Sequence, residues 1–371
     1  MSTKEPLESA ARKEEASVRA HLGKAKKLIV KIGSKSLTGD AFQRFAEEVA
    51  GLRGAGRQVV IVSSGAIALG IQRLGLRARP KDMAWLQACA AAGQSTLMRK
   101  WEDALAPLGL PAAQVLLTHA DLADRTRTNN AQRSIAALLE AGAIPIINEN
   151  DAVAIEEIKF GDNDQLASMV APIVGAELLL LLSDVEGLLD DRQQRIPFVR
   201  SIATEARQFA GESRSGVGTG GMASKIEAAH RATLAGAHVV IAHARAANVL
   251  GDVLAGRDVG TLFPAVSRRL SARKHWIAFT LRPRGALVLD AGAAEAVAKN
   301  KSVLAVGVLG VRGTFQPGDS VALVGPTGVE IGRGLVQLSA VDAARACGRR
   351  LEDGRSEELV AKDDLVVLPS E

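Results

Sequence analysis

The sequence contains no tyrosine, and aromatic residues make up only 3% of its 371 residues. Single-stranded nucleic acids stack on aromatic side chains, so this composition argues against a base-stacking protein. Only two cysteines occur, Cys89 and Cys347, and they form no CxxC motif. This excludes a disulfide framework and a cysteine-based zinc site, and it is typical of a reducing cytosol.

Signals of several other protein classes are also missing. No apolar run reaches the roughly 18 residues that a membrane-spanning helix needs, and the charged leader lacks the apolar block of a secretory signal. The six histidines are scattered without HExxH spacing, and the G-x-x-x-x-G-K-[ST] motif of P-loop NTPases does not occur. We therefore expect a cytoplasmic protein with no membrane partner and no protein-held metal.

Charge and length leave room for a two-domain enzyme. The net charge of +5 comes from 46 basic and 41 acidic residues, and 47% of the residues are hydrophobic. This small positive surplus suits anionic substrates without demanding nucleic acid. A chain of 371 residues is long enough for two domains.

From residue 27 onward, short apolar runs alternate with helical patterns. The runs are KLIVKI, QVVIVS, AAQVLL, AIPIIN, ELLLLLS and AHVVIAH. Near-continuous apolar strands between helices predict an α/β fold with a mostly parallel sheet sandwiched by helices. After a basic, interrupted stretch, short strands with glycine turns predict a small β-rich C-terminal domain. The predicted divisions are a charged leader at 1–25, an α/β domain at 26–265, a linker at 266–283 and the β-rich domain at 284–365.

Polar residues follow four of the predicted strands. They occupy 31–34 (KIGS), 63–65 (SSG), 148–151 (NEND) and 183–184 (SD). Ligands of open parallel sheets bind at the carboxyl ends of the strands, so we expect these residues on one rim. The cluster GDND at 161–164 adds amides and carboxylates where a helix begins. Asp and Asn also serve as helix N-caps, which accounts for one of its three polar residues.

The stretch GVGTGGMASK, residues 216–225, predicts a glycine-rich loop that leads into a helix. Backbone N–H groups at such a helix start bind anions, although a flexible linker is the alternative interpretation. The stretch satisfies G-x-G-x-x-G, but it follows no strand and no acidic residue stands about 20 positions later, so a dinucleotide site is disfavoured. With Lys31 and Lys225 it predicts phosphate neutralisation, which phosphoryl transfer chiefly requires.

Six motifs in this order resemble the amino-acid kinase family: VKIGS, VIVSSGAIALG, INENDAV, FGDND, LLLLSDVEGL and SGVGTGGMASK. The resemblance runs from about residue 27 to 264, and the β-rich tail resembles a PUA domain. It implies the amino-acid kinase fold and the following site. The implied catalytic residues are Lys31, Lys225 and Asp164, with Asp164 orienting the lysines. The implied ATP-binding residues are Lys31, Gly33, Ser183, Asp184, Thr219, Gly220, Gly221, Met222, Ala223, Ser224 and Lys225. The implied L-glutamate-binding residues are Ser64, Gly65, Asp151 and Asn163.

The resemblance is to members that phosphorylate the side-chain carboxylate of L-glutamate, giving L-glutamyl 5-phosphate in the first step of proline biosynthesis. It implies ATP and Mg²⁺ as cofactors, a homo-oligomer (dimer or tetramer) and feedback inhibition by proline. A carboxylate with a pKa near 4.3 is already ionised at neutral pH, so the reaction needs no general base. Related kinases acting on aspartate, acetylglutamate or carbamate remain alternatives, because one methylene changes binding by only about 1–3 kcal/mol.

An RNA-binding protein acting through the PUA-like tail is the alternative from another class. Residues 265–371 hold 15 Lys or Arg against 12 Asp or Glu, and they contain no aromatic cluster. This near balance favours a solvated β surface over an RNA site.

Three features depart from the family pattern. Lys35 stands where the resemblance implies a small or hydroxyl residue, and the segment at 189–197 is short and lacks tyrosine. The leader of 25 residues is additional to the family core.

Overall fold

The computed structural model describes residues 4–154, 163–206, 221–266, 269–350 and 355–368. The chain divides into two compact units, Met1–Arg269 and Leu270–Glu371. The division lies inside the stretch 266–283 that the sequence predicts as a linker. Part of that stretch is regular, since Ala272–His275 is helical and a π-helical turn spans Trp276–Thr280.

The first unit is built on a seven-stranded sheet in the order β3-β4-β2-β1-β5-β6-β7. The strands are β1 Lys27–Ile32, β2 Gln58–Ser63, β3 Ala112–Leu117, β4 Ile144–Glu149, β5 Leu178–Ser183, β6 His238–His243 and β7 Thr261–Phe263. All pairings are parallel except that of β7, which runs antiparallel to β6. The predicted mostly parallel sheet is confirmed.

Helices cover both faces of this sheet. They are α1 Lys4–Leu22, α2 Ala41–Gly54, α3 Ala66–Arg73, α4 Met83–Leu105, α5 His119–Ala123, α6 Arg125–Glu140, α7 Asn163–Val174, α8 Met222–Leu234 and α9 Val249–Leu254. Alternate residues of each strand enter two separate apolar cores, one with Trp101 and Phe45, the other with Ile226 and Val170. Because β5 lies between the two cores, all six of its residues are buried, which explains its uninterrupted leucines.

The order of the strands reverses at β1. The chain proceeds from β1 to β2 on one side, whereas β5, β6 and β7 lie on the other. Such a reversal opens a crevice at the carboxyl ends of the central strands, where α/β proteins bind ligands. Backbone hydrogen bonds align these ends, since Gly33 N–H donates to Leu182 O (3.1 Å) and Ser64 N–H donates to Ile32 O (3.2 Å).

The second unit contains a six-stranded sheet in the order β10-β8-β11-β12-β13-β9. The strands are β8 Gly285–Leu289, β9 Val303–Leu304, β10 Val308–Gly313, β11 Ser320–Val324, β12 Glu330–Val336 and β13 Glu358–Val367, and the helices are α10 Ala272–His275, α11 Ala291–Ala298 and α12 Ala340–Ala346. Its own core surrounds Phe315, Leu287 and Leu323. The predicted β-rich domain is confirmed. In the described parts of both units, no helix has the length and apolarity to cross a bilayer.

Candidate active site

Two lysines from distant parts of the chain converge on one buried carboxylate. Lys31 Nζ lies 2.7 Å from Asp164 Oδ1, and Lys225 Nζ lies 3.0 Å from Asp164 Oδ2. Asp164 is fully buried, and the lysines are only 7% and 4% exposed. An isolated buried charge is very costly, so each group needs the others, and the cluster as a whole carries a net charge of +1.

Asp164 is ionised in this cluster. Burial alone would raise its pKa, but the attraction of Lys31 and Lys225, with their hydrogen bonds, outweighs burial and holds the pKa below its ordinary value. The carboxylate therefore remains an anion at neutral pH and serves as a hydrogen-bond acceptor for both ammonium groups.

Secondary structure brings the three side chains to the rim. Lys31 is the fifth residue of β1, Asp164 lies in the first turn of α7, and Lys225 lies in the first turn of α8. The Gln165 side chain joins the two helix starts, since its Nε2 donates to Ser224 O at 3.1 Å. Helix starts favour negative ligands, so α7 and α8 add to the positive potential of the lysines.

A chain of amide side chains continues from Asp164 along the rim. Asn163 Nδ2 donates to Ser64 Oγ (2.8 Å) and to Asn148 Oδ1 (3.0 Å). Asn148 Nδ2 donates in turn to Gln94 Oε1 at 2.9 Å. Two buried atoms of these amide side chains, Asn163 Oδ1 and Gln94 Nε2, have no hydrogen-bond partner among the described residues. Buried polar atoms are costly when unpaired, so one acceptor and one donor here suit a polar ligand.

Close helix packing holds Ser64 and Gln94 in place. Gly65 has φ +116°, a left-handed conformation that favours glycine, and it begins α3 directly after Ser64. A Cβ on Gly93 would lie 1.8 Å from Ala66 O, so only glycine allows α4 to approach α3 this closely. Gln94, the next residue of α4, is thereby brought to the rim.

A cavity of about 340 Å³ adjoins the far end of the amide chain. Its lining comes from α3, α4, β3, the end of β4 and the turn that follows, and consists of Ala66, Ala90, Ala91, Gln94, Ser95, Gln114, Leu116, Glu149, Asn150, Asp151 and Ala152. Asp151 therefore lies at the cavity, whereas Asn163 reaches the cavity lining only through Asn148 and Gln94, and Ser64 contacts Asn163.

Ser183 is the last residue of β5 and Asp184 follows it, on the other side of β1. Ser183 Oγ donates to Asp184 Oδ1 and Lys35 Nζ donates to Asp184 Oδ2, each at 3.1 Å. Partial burial would raise the Asp184 pKa, but the Lys35 and Ser183 hydrogen bonds outweigh it and lower that pKa. Lys35, the departure from the family pattern, is 60% exposed and is thus unlike the two buried lysines.

The remaining predicted residues lie at the start of α8 or before it. Gly221 is the N-cap of α8, and Met222, Ala223 and Ser224 form its first turn with Lys225. Thr219 and Gly220 lie outside the described residues, as do Gly161 and Asp162. The structure thus brings Lys31, Asp164 and Lys225 together, with Ser64 and Asn163 beside them.

Comparison with known families assigns this fold. A sequence model described as the Amino acid kinase family matches residues 26–243. The chain belongs to the amino acid kinase family. A second model, described as the PUA domain, matches residues 285–356. The resemblance noted from the six motifs is confirmed for both parts of this kinase.

Relatives of this kinase match over nearly their whole length. A protein named glutamate 5-kinase from Geobacter metallireducens is 43% identical over 370 residues, covering 94% of this chain and 99% of that protein. Proteins of the same name from Myxococcus xanthus and Thermus thermophilus are each 45% identical, covering 94% and 92% of this chain and 98% and 97% of their own.

A solved structure shares the fold of this kinase. N-acetylglutamate synthase from Neisseria gonorrhoeae, complexed with coenzyme A and N-acetyl-glutamate, superposes with a TM-score of 0.51 at 18% identity. The match covers 70% of this chain and 64% of the synthase chain. At this identity the likeness concerns the fold alone.

Two residues of the candidate site in this kinase, Asn148 and Gln94, are not predicted from the sequence. Asn148 lies on the predicted rim, but its neighbours in the sequence do not indicate that it connects Asn163 to Gln94 by hydrogen bonds. Gln94 lies inside a long helix, and its only local signal is the neighbouring Gly93, which marks a close approach of two helices.

Proposed function

We propose that this protein transfers the γ-phosphoryl group of ATP to the side-chain carboxylate of L-glutamate, forming L-glutamyl 5-phosphate and ADP in the cytoplasm, as the first step of proline biosynthesis. The observation that carries the proposal is the convergence of Lys31 and Lys225 on the buried Asp164. The relatives named glutamate 5-kinase support the choice of glutamate as the substrate.

The cluster fits the electrostatic problem of this reaction. A glutamate carboxylate oxygen attacks the γ-phosphorus, the new O–P bond forms, and the bond to the β–γ bridging oxygen breaks to release ADP. Both reactants are anions, so catalysis depends on positioning and on compensating charge. Lys31 and Lys225 supply two positive charges at the reacting phosphate, and Asp164 fixes the positions of both ammonium groups. The attacking carboxylate is already ionised, so no side chain needs to remove a proton.

The amide chain and the cavity suit the amino acid end of the substrate. An α-carboxylate accepts hydrogen bonds and an α-ammonium donates them, which matches the buried donor Gln94 Nε2 and the buried acceptor Asn163 Oδ1. Asp151 at the cavity supplies a negative partner for the ammonium. Ser64 accepts a hydrogen bond from Asn163, which precedes Asp164 in sequence, so Ser64 and Gly65 are assigned to the side-chain carboxylate of glutamate.

The nucleotide would occupy the β5 side of the rim. Gly33 follows β1, Ser183 ends β5, Asp184 follows it, and residues 221–225 begin α8, which supports placing the nucleotide beside β1. Thr219 and Gly220, implied by the family resemblance, belong to the same proposal. Exposed N–H groups at the start of α8 would bind phosphate oxygens.

Mg²⁺ would enter this site on the phosphates of ATP. Within the described ranges, no group of three or more His, Cys, Asp or Glu is placed to hold a metal ion. Both oxygens of Asp164 already face lysines. Mg²⁺ keeps most of its waters and prefers phosphate oxygens, where it would add positive charge to that of the two lysines.

The proposal is tested by measuring ADP formation with L-glutamate, L-aspartate, N-acetyl-L-glutamate and carbamate in parallel. We expect kcat/KM to be highest for L-glutamate. An equal or higher kcat/KM with another acceptor would mean that this acceptor, and not L-glutamate, is the substrate, while the kinase activity would stand. No turnover with any acceptor would refute the proposed kinase activity.

Replacement of Asp151 should weaken the binding of glutamate selectively. In Asp151→Asn we expect the KM for glutamate to rise about 10- to 100-fold, the cost of a hydrogen bond to a charged group, while the KM for ATP changes less than about twofold. Steady-state kinetics with each substrate varied in turn measure both constants. Asp103→Asn, at an exposed position of α4, is the matched control. An unchanged KM for glutamate in Asp151→Asn would contradict the role.

Several predictions from the family resemblance extend beyond the site. Assembly into a dimer or tetramer and inhibition by proline stay predictions. RNA binding by the second unit is not favoured, because many of its basic side chains are paired with carboxylates. The pairs are Arg273–Asp364, Arg284–Asp319, Lys299–Glu295, Arg333–Glu330 and Arg345–Asp342.

A further inference from the structure

Helix α1 lies before the segment matched by the family model, which begins at residue 26. The helix is nonetheless anchored to the first unit. Leu22 is 1% exposed and belongs to the core that contains Trp101. Arg19, one helical turn earlier, is only 4% exposed. Arginine is almost never fully buried unless it is paired, so its partners indicate what the helix does.

The guanidinium group of Arg19 contacts five oxygen atoms. Nε donates to Glu15 within α1, and the two terminal nitrogens reach carbonyl and carboxylate oxygens about 180–240 residues away in sequence. The contacts are Glu15 Oε1 at 2.8 Å, Pro197 O at 2.8 Å, Asp258 Oδ1 at 3.1 Å, Arg257 O at 3.2 Å and Val259 O at 3.2 Å. The planar guanidinium group thus joins two loops at once. The compact ammonium group of a lysine could not reach all of these oxygens.

One of these loops is the second leg of a hairpin that starts four residues after Asp184. Ile196 N–H donates to Leu188 O, and Leu189 forms a bridge with Arg195. Thr261 Oγ1 accepts from Leu188 N–H (2.8 Å) and donates to Ile196 O (2.6 Å). We call residues 188–199 the β5 hairpin.

The other loop, 257–260, contacts the same hairpin. Arg195 donates to Gly260 O and to Asp258 Oδ2, the latter at 2.8 Å. Asp258 therefore lies between Arg195 of the β5 hairpin and Arg19 of α1. Leu262 N–H donates to Pro197 O, the carbonyl that Arg19 also contacts. The leader, the loop and the hairpin form one hydrogen-bonded assembly.

We propose that Arg19 is a positioning residue for the nucleotide side of the site, acting through the β5 hairpin on Ser183 and Asp184. The inference rests on the proposed function, which assigns those two residues to ATP. Without Arg19, Pro197 O keeps only its backbone partner and Asp258 keeps only Arg195, so the hairpin and the preceding residues 184–187 gain freedom. Glutamate binding, on the β4 side of the rim, is spared.

The test compares Arg19→Ala with Arg12→Ala, which removes an exposed arginine of the same helix. In Arg19→Ala we expect the KM for ATP to rise about tenfold, which corresponds to the nucleotide losing one charge-assisted hydrogen bond. The KM for glutamate should change less than about twofold. Hydrogen exchange should quicken at Leu188, Ile196 and Val199 and stay unchanged in β4. Arg12→Ala should match the wild type in every measurement.

Asp258→Ala provides a second variant that keeps Arg19 and should fold, because the Asp258 side chain is 60% exposed. Like Arg19→Ala, this variant should quicken hydrogen exchange in the β5 hairpin and raise the KM for ATP, but by smaller factors. An unchanged KM for ATP with unchanged hairpin exchange in both variants overturns the inference. Equal increases in the KM for ATP and the KM for glutamate, with a lower Tm, would show that Arg19 only stabilises the fold, and this result would also overturn the inference. A wild-type protein inactive with glutamate would instead refute the proposed function.

Discussion

Lys225→Met should lower kcat by about 10²–10³-fold, the loss found when one preorganised hydrogen-bond donor is removed from an active site. Methionine keeps the apolar stem of this buried side chain and removes the positive charge together with the hydrogen bond to Asp164 Oδ2. Asp164 retains Lys31 at 2.7 Å, so the carboxylate stays paired and the protein should still fold. The KM values should change far less than kcat, because the charge acts on the phosphoryl group during transfer.

Single-turnover and steady-state kinetics with circular dichroism measure this effect. Lys35→Ala is the control on the same rim, since Lys35 is 60% exposed and its pair with Asp184 is a surface salt bridge. Its kcat should stay within about threefold of the wild type. Near-normal turnover of Lys225→Met in a folded protein would remove Lys225 from the proposed mechanism.

Asp164→Asn should cost both stability and activity. Asparagine has nearly the same shape, but it removes the negative charge that faces both buried ammonium groups. Breaking a buried ion pair in this way costs about 3–5 kcal/mol, so the free energy of unfolding should fall by that order. Activity should fall as well, because neither lysine keeps its position at the phosphate.

The double variant Asp164→Asn with Lys225→Met separates these two effects. It removes one negative and one positive charge, so the cluster keeps the net charge of the wild type. Much of the lost stability should return in denaturant unfolding, while activity stays low because Lys225 is absent. If the double variant is no more stable than Asp164→Asn alone, the charge argument is wrong.

The stability difference between wild type and Asp164→Asn should also depend on pH. The pKa of Asp164 is lowered by folding, so its stabilising contribution is fully present above the ordinary value of 3.8. That contribution disappears as the pH falls through the lower pKa of the folded state. The difference between the two proteins should therefore be constant near neutrality and narrow below about pH 4.

The sequence predicts the architecture well because the relevant signals are local. Runs such as LLLLLS at 178–183 are too apolar for a strand with a solvated face, which indicates a sheet covered on both sides. Polar residues directly after these runs must lie on one rim, because parallel strands end at the same edge. The family and the kinase activity inferred from the motifs agree with the matched relatives.

The partners of individual side chains are not local properties. The family resemblance implies that Asp164 orients the lysines, but Lys225 lies 61 residues from Asp164, and no local pattern shows that each oxygen of this carboxylate faces one lysine. The bond from Asn148 to Gln94 spans 54 residues and depends on the contact between α3 and α4 that Gly93 permits. The role proposed for Arg19 depends on contacts across 178 to 240 residues.

The sequence by itself therefore determined the fold class, the family and the rim on which the site lies. These follow from hydrophobic periodicity and from motifs, each contained within about ten consecutive residues. Only the tertiary structure decided which charges are buried together and how the amides connect to the cavity. It also showed that the charged leader is a docked helix. The physical reason is that burial and pairing depend on the packing of distant elements, whereas hydrophobic pattern fixes only which face each element buries.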